Sequence, residues 1–219
     1  MQFDIITLFP EVITPYVNSS IIGRAVKNKL IKVRIHDLRE FGEGKRRTVD
    51  ERAYGGGPGM VMQIAPLIKA VQFAKSKVKG QKSKVIIFEA GGKQFDEKMS
   101  QNFAKNERII LICGHYEGID ARVKKILRDM GFAVEEVSIG PYVLTGGELP
   151  ALVLIDAVTR KIKGVLGKHD SLEEKRLGVG VPVYTRPEVI KIGKKKYAVP
   201  KVLTEGNHKL IEEWRRRAR

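Results

Sequence analysis

The sequence predicts an α/β fold in which a parallel sheet is flanked by helices. Short apolar, β-branched runs alternate with amphipathic stretches, the pattern of parallel strands joined by crossover helices. Three of those runs, Lys84-Val85-Ile86-Ile87-Phe88, Arg108-Ile109-Ile110-Leu111-Ile112-Cys113 and Ala133 to Val137, close on glycine-bearing loops. Loops at the carboxyl ends of strands are where open α/β sheets bind ligands.

Phe3 to Leu8 reads as the first strand. Ser20 to Leu30 reads as a helix capped by Ser19 or Ser20, whose hydroxyl suits an N-cap, and Lys32 to Leu38 alternates as a strand. Arg39 to Gly59 is polar, glycine-rich and too long for an ordinary connection, which marks a functional or mobile loop. Ala65 to Lys77 and Phe95 to Lys105 read as amphipathic helices, each followed by one of the β-branched strands. Gly118 to Met130 reads as a further helix, and Gly147 to Lys161 as a helix with continuous apolar residues through Leu152, Leu154, Ile155, Ala157 and Val158. Residues 1–166 form the main domain. A linker without sustained apolar period follows over 167–182, and 183–219 form a small, mostly helical C-terminal domain in which Leu210, Ile211 and Trp214 share a helix face.

Among the 219 residues, 41 Lys and Arg stand against 25 Asp and Glu, a net charge of +16. A surplus of that size suits a polyanion such as RNA or DNA, although a charge-rich thermophile surface has the same composition. The basic residues are dispersed, which disfavours a membrane-surface role. Lys194-Lys195-Lys196 and the terminal arginines read as solvated charge that adds to RNA affinity without selecting sequence. The single cysteine, Cys113, sits in an apolar run and reads as a buried, inert thiol. His36, His115, His169 and His208 make no structural-metal spacing, so no metal site is expected. No signal peptide or membrane-spanning run is visible, and a cytoplasmic location is expected.

The most informative stretch is Ser138-Ile139-Gly140-Pro141-Tyr142-Val143-Leu144-Thr145-Gly146-Gly147-Glu148-Leu149-Pro150. Its glycines allow close approach of backbone to a ligand, and Tyr142, Val143 and Leu144 add apolar surface. With it go Gly91-Gly92-Lys93, Gly114-His115-Tyr116-Glu117-Gly118-Ile119-Asp120 and Tyr54-Gly55-Gly56-Gly57-Pro58-Gly59-Met60-Val61-Met62. Neither nucleotide fingerprint fits. A P-loop would need a Ser or Thr after Gly92-Lys93, where Gln94 stands, and a glycine at Ile87. A dinucleotide loop would need a glycine at Met60 and a preceding strand.

In order, spacing and identity these motifs, with Ile5-Ile6-Thr7-Leu8-Phe9-Pro10 at the start and Gly206-Asn207-His208 near the end, resemble bacterial tRNA (guanine-N(1)-)-methyltransferases of the TrmD type, in the SPOUT superfamily. The resemblance spans nearly the whole chain. It implies a deep trefoil knot in the carboxyl-terminal part of the domain, S-adenosylmethionine as methyl donor, tRNA as substrate, and a homodimer whose active sites are shared between subunits. The product would carry the methyl on N1 of the guanosine 3′ of the anticodon. A loosely bound divalent ion has no signature in the sequence. Residue by residue, the implied cofactor site comprises Phe88, Ala90 and Gly92; Gly114, Tyr116, Glu117 and Gly118; and Ser138, Ile139, Gly140, Pro141, Tyr142, Val143, Leu144, Gly146, Gly147 and Pro150. Glu117 would look the same as a solvated loop acid. Arg46, Arg47, Asp50, Glu51 and the Tyr54–Met62 segment correspond to the surface near the target guanine. Arg160 matches an arginine at the reacting base, and an exposed ion-pairing arginine would look identical.

Four departures stand out. Pro141 replaces an aspartate in the knot loop and removes a backbone donor. His115 stands where an arginine is usual, and Glu89-Ala90-Gly91-Gly92 replaces a Ser-Pro-Gln-Gly type. Lys175 falls at the position of the catalytic aspartate, in a linker about three residues short of the usual pattern. A solvated lysine is a poor base, so Glu174, and after it Glu173, are the expected proton acceptors. Two competing readings remain: a SPOUT RNA methyltransferase of other specificity, and a catalytically weak cofactor- and RNA-binding paralogue.

Overall fold

The computed structural model describes residues 1–76, 83–166 and 181–217. They belong to two compact units, Met1–Val165 and Leu166–Arg219.

The first unit contains strands β1 (Gln2–Thr7), β2 (Lys32–Asp37), β3 (Asp50–Arg52), β4 (Met60–Met62), β5 (Ser83–Gln94), β6 (Arg108–Ile112) and β7 (Ala133–Ser138). Its helices are α1 (Pro10–Val17), α2 (Ser20–Lys27), α3 (Ile64–Ser76), α4 (Glu97–Phe103), α5 (Arg122–Asp129) and α6 (Glu148–Thr159). Five strands form one sheet in the order β2-β1-β6-β5-β7, with every pairing parallel. This is the expected sheet flanked by helices. The wholly buried run Arg108–Ile112 suits a central strand covered on both faces.

Alternation along β1 sorts the core into two layers. Phe3 and Ile5 pack with Ile13, Val17, Ile22, Met99, Phe103, Leu154 and Val158, the inner faces of α1, α2, α4 and α6. Ile6 faces the other way, into a cluster with Leu67, Val71, Val123 and Leu127 from α3 and α5. Each fully buried aliphatic or aromatic side chain of this kind contributes roughly 1.5–3 kcal/mol. Asp4 is fully buried, where Gln2 Nε2 donates to it at 2.7 Å and Arg108 Nε at 2.8 Å, and His36 Nε2 lies 2.8 Å from its second oxygen. Arg108, also fully buried, donates in addition to the Ala74 carbonyl of α3.

Several elements differ from the sequence reading. Helix α1 was not expected: Pro10 suits a first helical turn, but Pro15 within the same eight residues hides the helical pattern. The long Arg39–Gly59 loop contributes β3, which pairs antiparallel with β4. Helix α5 begins at Arg122, not at Gly118, because the Asp120 side chain accepts from Arg122 N at 2.9 Å and starts the first turn there.

In the second unit, β8 (Val189–Ile192) and β9 (Lys195–Ala198) form an antiparallel hairpin turning at Gly193 and Lys194, and α7 (His208–Arg217) follows. The unit contains the expected final helix and adds a hairpin that the sequence pattern does not announce. Its four-residue strands are exposed throughout, and Lys194-Lys195-Lys196 masks any apolar alternation. Tyr184 packs against Trp214, with ring centroids 6.1 Å apart. Of the expected linker 167–182, residues 167–180 lie outside the described residues.

Candidate active site

Because β6, β5 and β7 are neighbours in a parallel sheet, their carboxyl ends bring three loops together. Residues 89–92 bulge from β5, which pairs with Val137 both before the excursion, at Phe88, and after it, at Lys93. Residues 114–118 leave β6, and residues 139–147 run from β7 to α6. Gly147 N donates to the Gly114 carbonyl at 2.9 Å, and His115 bridges Gly146. The approach is close because position 147 has no side chain: a Cβ there would stand 2.6 Å from the Cys113 Cα.

These segments enclose a cavity of about 350 Å³, in the size range of small-molecule sites. Of the residues expected at a cofactor site, Phe88, Ala90, Gly114, Tyr116, Glu117, Gly118, Ser138, Ile139, Gly140, Tyr142, Val143, Leu144, Gly146, Gly147 and Pro150 line it. Gly92 and Pro141 do not. Gly92 packs against the β7 backbone, where a Cβ would lie 2.8 Å from Glu136 C, and Pro141 points into solvent at the loop's exposed turn. Glu89, Gly91, His115, Ile119, Val137 and Thr145 line the cavity as well. Their positions inside or beside the quoted glycine loops were the available signal. The glycine-rich segment before β4 reaches the same region, since Glu117 N donates to the Met60 carbonyl at 3.1 Å and Met62 N to that of Gly118 at 3.0 Å.

Arg160 caps the carboxyl end of α6, whereas Gly147 and Pro150 at its amino end line the cavity. Twelve helical residues separate the two ends by roughly 18 Å, so Arg160 is not among the lining residues. Glu173, Glu174 and Lys175 lie outside the described residues.

Two carboxylates, Glu89 and Glu117, line the pocket. Burial, and then a hydrogen bond with Glu136, push the Glu89 carboxyl up. Lys124 Nζ donates to Glu136 at 2.5 Å and holds that carboxyl down. Burial, then Asp50, raises the Tyr116 phenol. Desolvation, reinforced by Glu148, pushes the Cys113 thiol well up, as suits an inert buried thiol. Glu148 is buried. Thr7 Oγ1 donates to its Oε1 at 2.6 Å, and His115 Nε2 lies 2.7 Å from its Oε2. Among the described residues, no group of three or more His, Cys, Asp or Glu is arranged to hold a metal ion, and no helix is long and apolar enough to cross a membrane.

The sequence profile of the family described as tRNA (Guanine-1)-methyltransferase TrmD matches residues 1–219. The chain belongs to the TrmD family. Relatives named tRNA (guanine-N(1)-)-methyltransferase agree with that placement. The Listeria innocua protein is 43% identical over 218 residues, which is 98% of this chain and 85% of that protein. The Photobacterium profundum protein is 47% identical over 98% of this chain and 84% of its own length, and the Persephonella marina protein is 45% identical over 99% and 82%. Every segment that forms the cavity therefore falls within the stretch shared with the TrmD family.

Proposed function

We propose that this chain transfers a methyl group from S-adenosylmethionine to N1 of the guanosine 3′ of the anticodon in tRNA, as a cytoplasmic enzyme. Membership of the TrmD family carries the methyltransferase assignment, and the observation that carries the site is the cavity formed by three loops at the carboxyl edge of the sheet. The residues present fit the cofactor: glycine backbone at 114, 140, 146 and 147 offers peptide groups, while Phe88, Ile139, Val143 and Leu144 offer apolar surface. When bound, the sulfonium supplies the methyl group.

The reaction removes the N1 proton of guanine and builds negative charge on its O6. In this reading Arg160 donates to O6, a task for which a permanently charged guanidinium is suited, and Glu174, with Glu173 second, accepts the proton. Arg160 lies one helix length from its own chain's cavity, which favours its acting at the cavity of a second subunit. Val12 and Tyr16 on α1 and Leu149 and Val153 on α6 leave apolar surface exposed on helices that pack together. Tyr16 Oη donates to Asp156 at 2.6 Å across those helices. A homodimer with C2 symmetry would bury this surface. The 139–147 segment leaves the edge strand β7 and meets the loop after β6, two places away in the strand order, a reach in keeping with the proposed trefoil knot.

Labelled methyl transfer to tRNA transcripts carrying guanosine or adenosine at the target position tests the function. Incorporation confined to the guanosine transcript, with 1-methylguanosine recovered, is expected. Methylation of another position would favour a different SPOUT specificity, and cofactor binding without transfer a silent paralogue. Glu174→Gln is expected to slow transfer by about 10²-fold or more, whereas a large gain from Lys175→Asp with no loss from either glutamine variant would remove the glutamates from the mechanism.

A further inference from the structure

We propose that His115 and Glu148 are positioning residues: with Thr7 they form a clasp that fixes the far end of the 139–147 loop against the 114–118 loop. The ligand of this clasp rests on the cofactor reading above, but its geometry does not.

Glu148 opens α6, and its two oxygens take partners from two different elements: the Thr7 hydroxyl at the end of β1, at 2.6 Å, and His115 Nε2 in the loop after β6, at 2.7 Å. The Thr7 oxygen in turn accepts from Phe9 N at 2.9 Å. A buried carboxylate stripped of its partner is strongly destabilising, so Glu148 holds both groups in place. The His115 ring is further confined by Phe9, with centroids 4.7 Å apart. The missing side chain at 146 makes room for the pair, since a Cβ there would stand 2.4 Å from His115 Nε2 and 2.6 Å from Glu148 Oε2.

The loop itself needs such an anchor. Residues 141–145 are exposed. At the near end the loop is tied by the Ser138 hydroxyl, which donates to the Gly140 carbonyl at 2.9 Å and accepts from Gly140 N at 3.2 Å. At the far end it is tied by the backbone bridge between His115 and Gly146 and by the His115–Glu148 pair directly behind it. His115 is the clasp member that also lines the cavity, so loop position and cavity shape are set by one side chain.

The test uses the full chain and the variants His115→Phe, Glu148→Met, their double, His115→Arg and Thr7→Val. Hydrogen exchange over 141–147 without cofactor, calorimetric affinity for S-adenosylmethionine, and KM for cofactor and for tRNA are measured. Each single removal is expected to speed exchange at Gly146 and Gly147 and to weaken cofactor affinity by about tenfold, the size of a charge-assisted hydrogen bond. The double variant loses no more than the worse single one. KM for the cofactor rises while KM for tRNA holds. His115→Arg restores both exchange and affinity, because a guanidinium donates to the same carboxylate. Unchanged exchange over 141–147 in His115→Phe, or additive losses in the double variant, would overturn the clasp. If Glu148→Met fails to fold, Thr7→Val, which removes one donor to the same carboxylate, is read in its place. A parent chain that binds no S-adenosylmethionine would refute the cofactor reading, and the exchange measurement would still decide the clasp.

Discussion

Replacing Gly147 by alanine introduces one methyl group at the tightest backbone approach of the cavity. The new Cβ would stand 2.6 Å from Cys113 Cα, 3.0 Å from Gly114 N and 3.1 Å from Cys113 C. Carbon atoms in contact lie about 3.5–4.0 Å apart, so the loop must retreat by about an ångström; the obstacle is main chain at the end of a central strand, which has nowhere to go. Retreat stretches the 2.9 Å bond from Gly147 N to the Gly114 carbonyl beyond hydrogen-bonding range. Overpacking typically costs about 1–3 kcal/mol and a lost backbone hydrogen bond about 1 kcal/mol, which together make about 2–4 kcal/mol. For a domain of this size each kcal/mol lowers Tm by roughly 2–4 °C, so a fall of at least about 4 °C is expected in scanning calorimetry. Affinity for S-adenosylmethionine should drop by about tenfold or more, because a displaced wall forfeits more than ~1.4 kcal/mol of contact. Gly91→Ala is the control: it lines the same cavity, yet a Cβ there meets nothing within 4 Å, and stability should stay within about 0.5 kcal/mol of the parent. Indistinguishable Tm and affinity for the two variants would refute the reasoning.

Arg160→Ala should lower turnover by about 10²-fold or more while calorimetric cofactor affinity stays near the parent value; equal loss of both would make the arginine structural. Burial pushes the Asp4 carboxyl up, but hydrogen bonds with His36, Arg108 and Gln2 together outweigh it and hold the carboxyl below its ordinary value. A depressed folded value means that the stabilisation is present above the unfolded pKa of about 3.9 and fades as pH falls through the folded value. Urea unfolding between pH 6 and pH 3 should therefore show stability falling toward the acid end, and Asp4→Asn should flatten part of that slope while costing about 3–5 kcal/mol near neutrality. With a net charge of +16, tRNA affinity should fall steeply with salt, and truncation from Arg215 onward should reduce the slope of log K against log salt; filter binding that is flat from low to physiological ionic strength would remove the electrostatic argument.

The central strands and the loops at their carboxyl ends were legible because both signals are local. Ile109 to Ile112 is an unbroken β-branched and leucine run, and Gly114 and Gly146-Gly147 punctuate its surroundings. What stayed hidden depends on distant partners. The Pro10–Val17 helix is held by packing of Ile13 and Val17 into the core despite Pro15, which argues locally against it. The β8–β9 hairpin joins a short apolar strand, Val189–Ile192, to one that opens on two lysines, Lys195–Ala198, and it is their pairing that defines them. Glu148 and His115, 33 residues apart, are an unremarkable first-turn acid and a loop histidine until the sheet order brings the ends of β1 and β6 side by side. Resemblance alone puts Arg160 at the chemistry, and helix length explains why one chain does not bring it to its own cavity.

The strand order also dictates when the chain can become native during synthesis. β1 is made first but lies between β2 and β6, and the carboxylate of Asp4 meets its guanidinium partner only across 104 residues. Until Arg108 has left the ribosome, β1 has one open edge, and its middle residue is an acid that burial disfavours. A β1–β2 pair with its helices can gather early, yet it cannot close over that charge. The last strand to join, β7, and the segment that follows it then complete a sheet whose centre was waiting for the middle of the chain. Folding is thus gated by late, long-range pairing, the kind of topology that folds slowly.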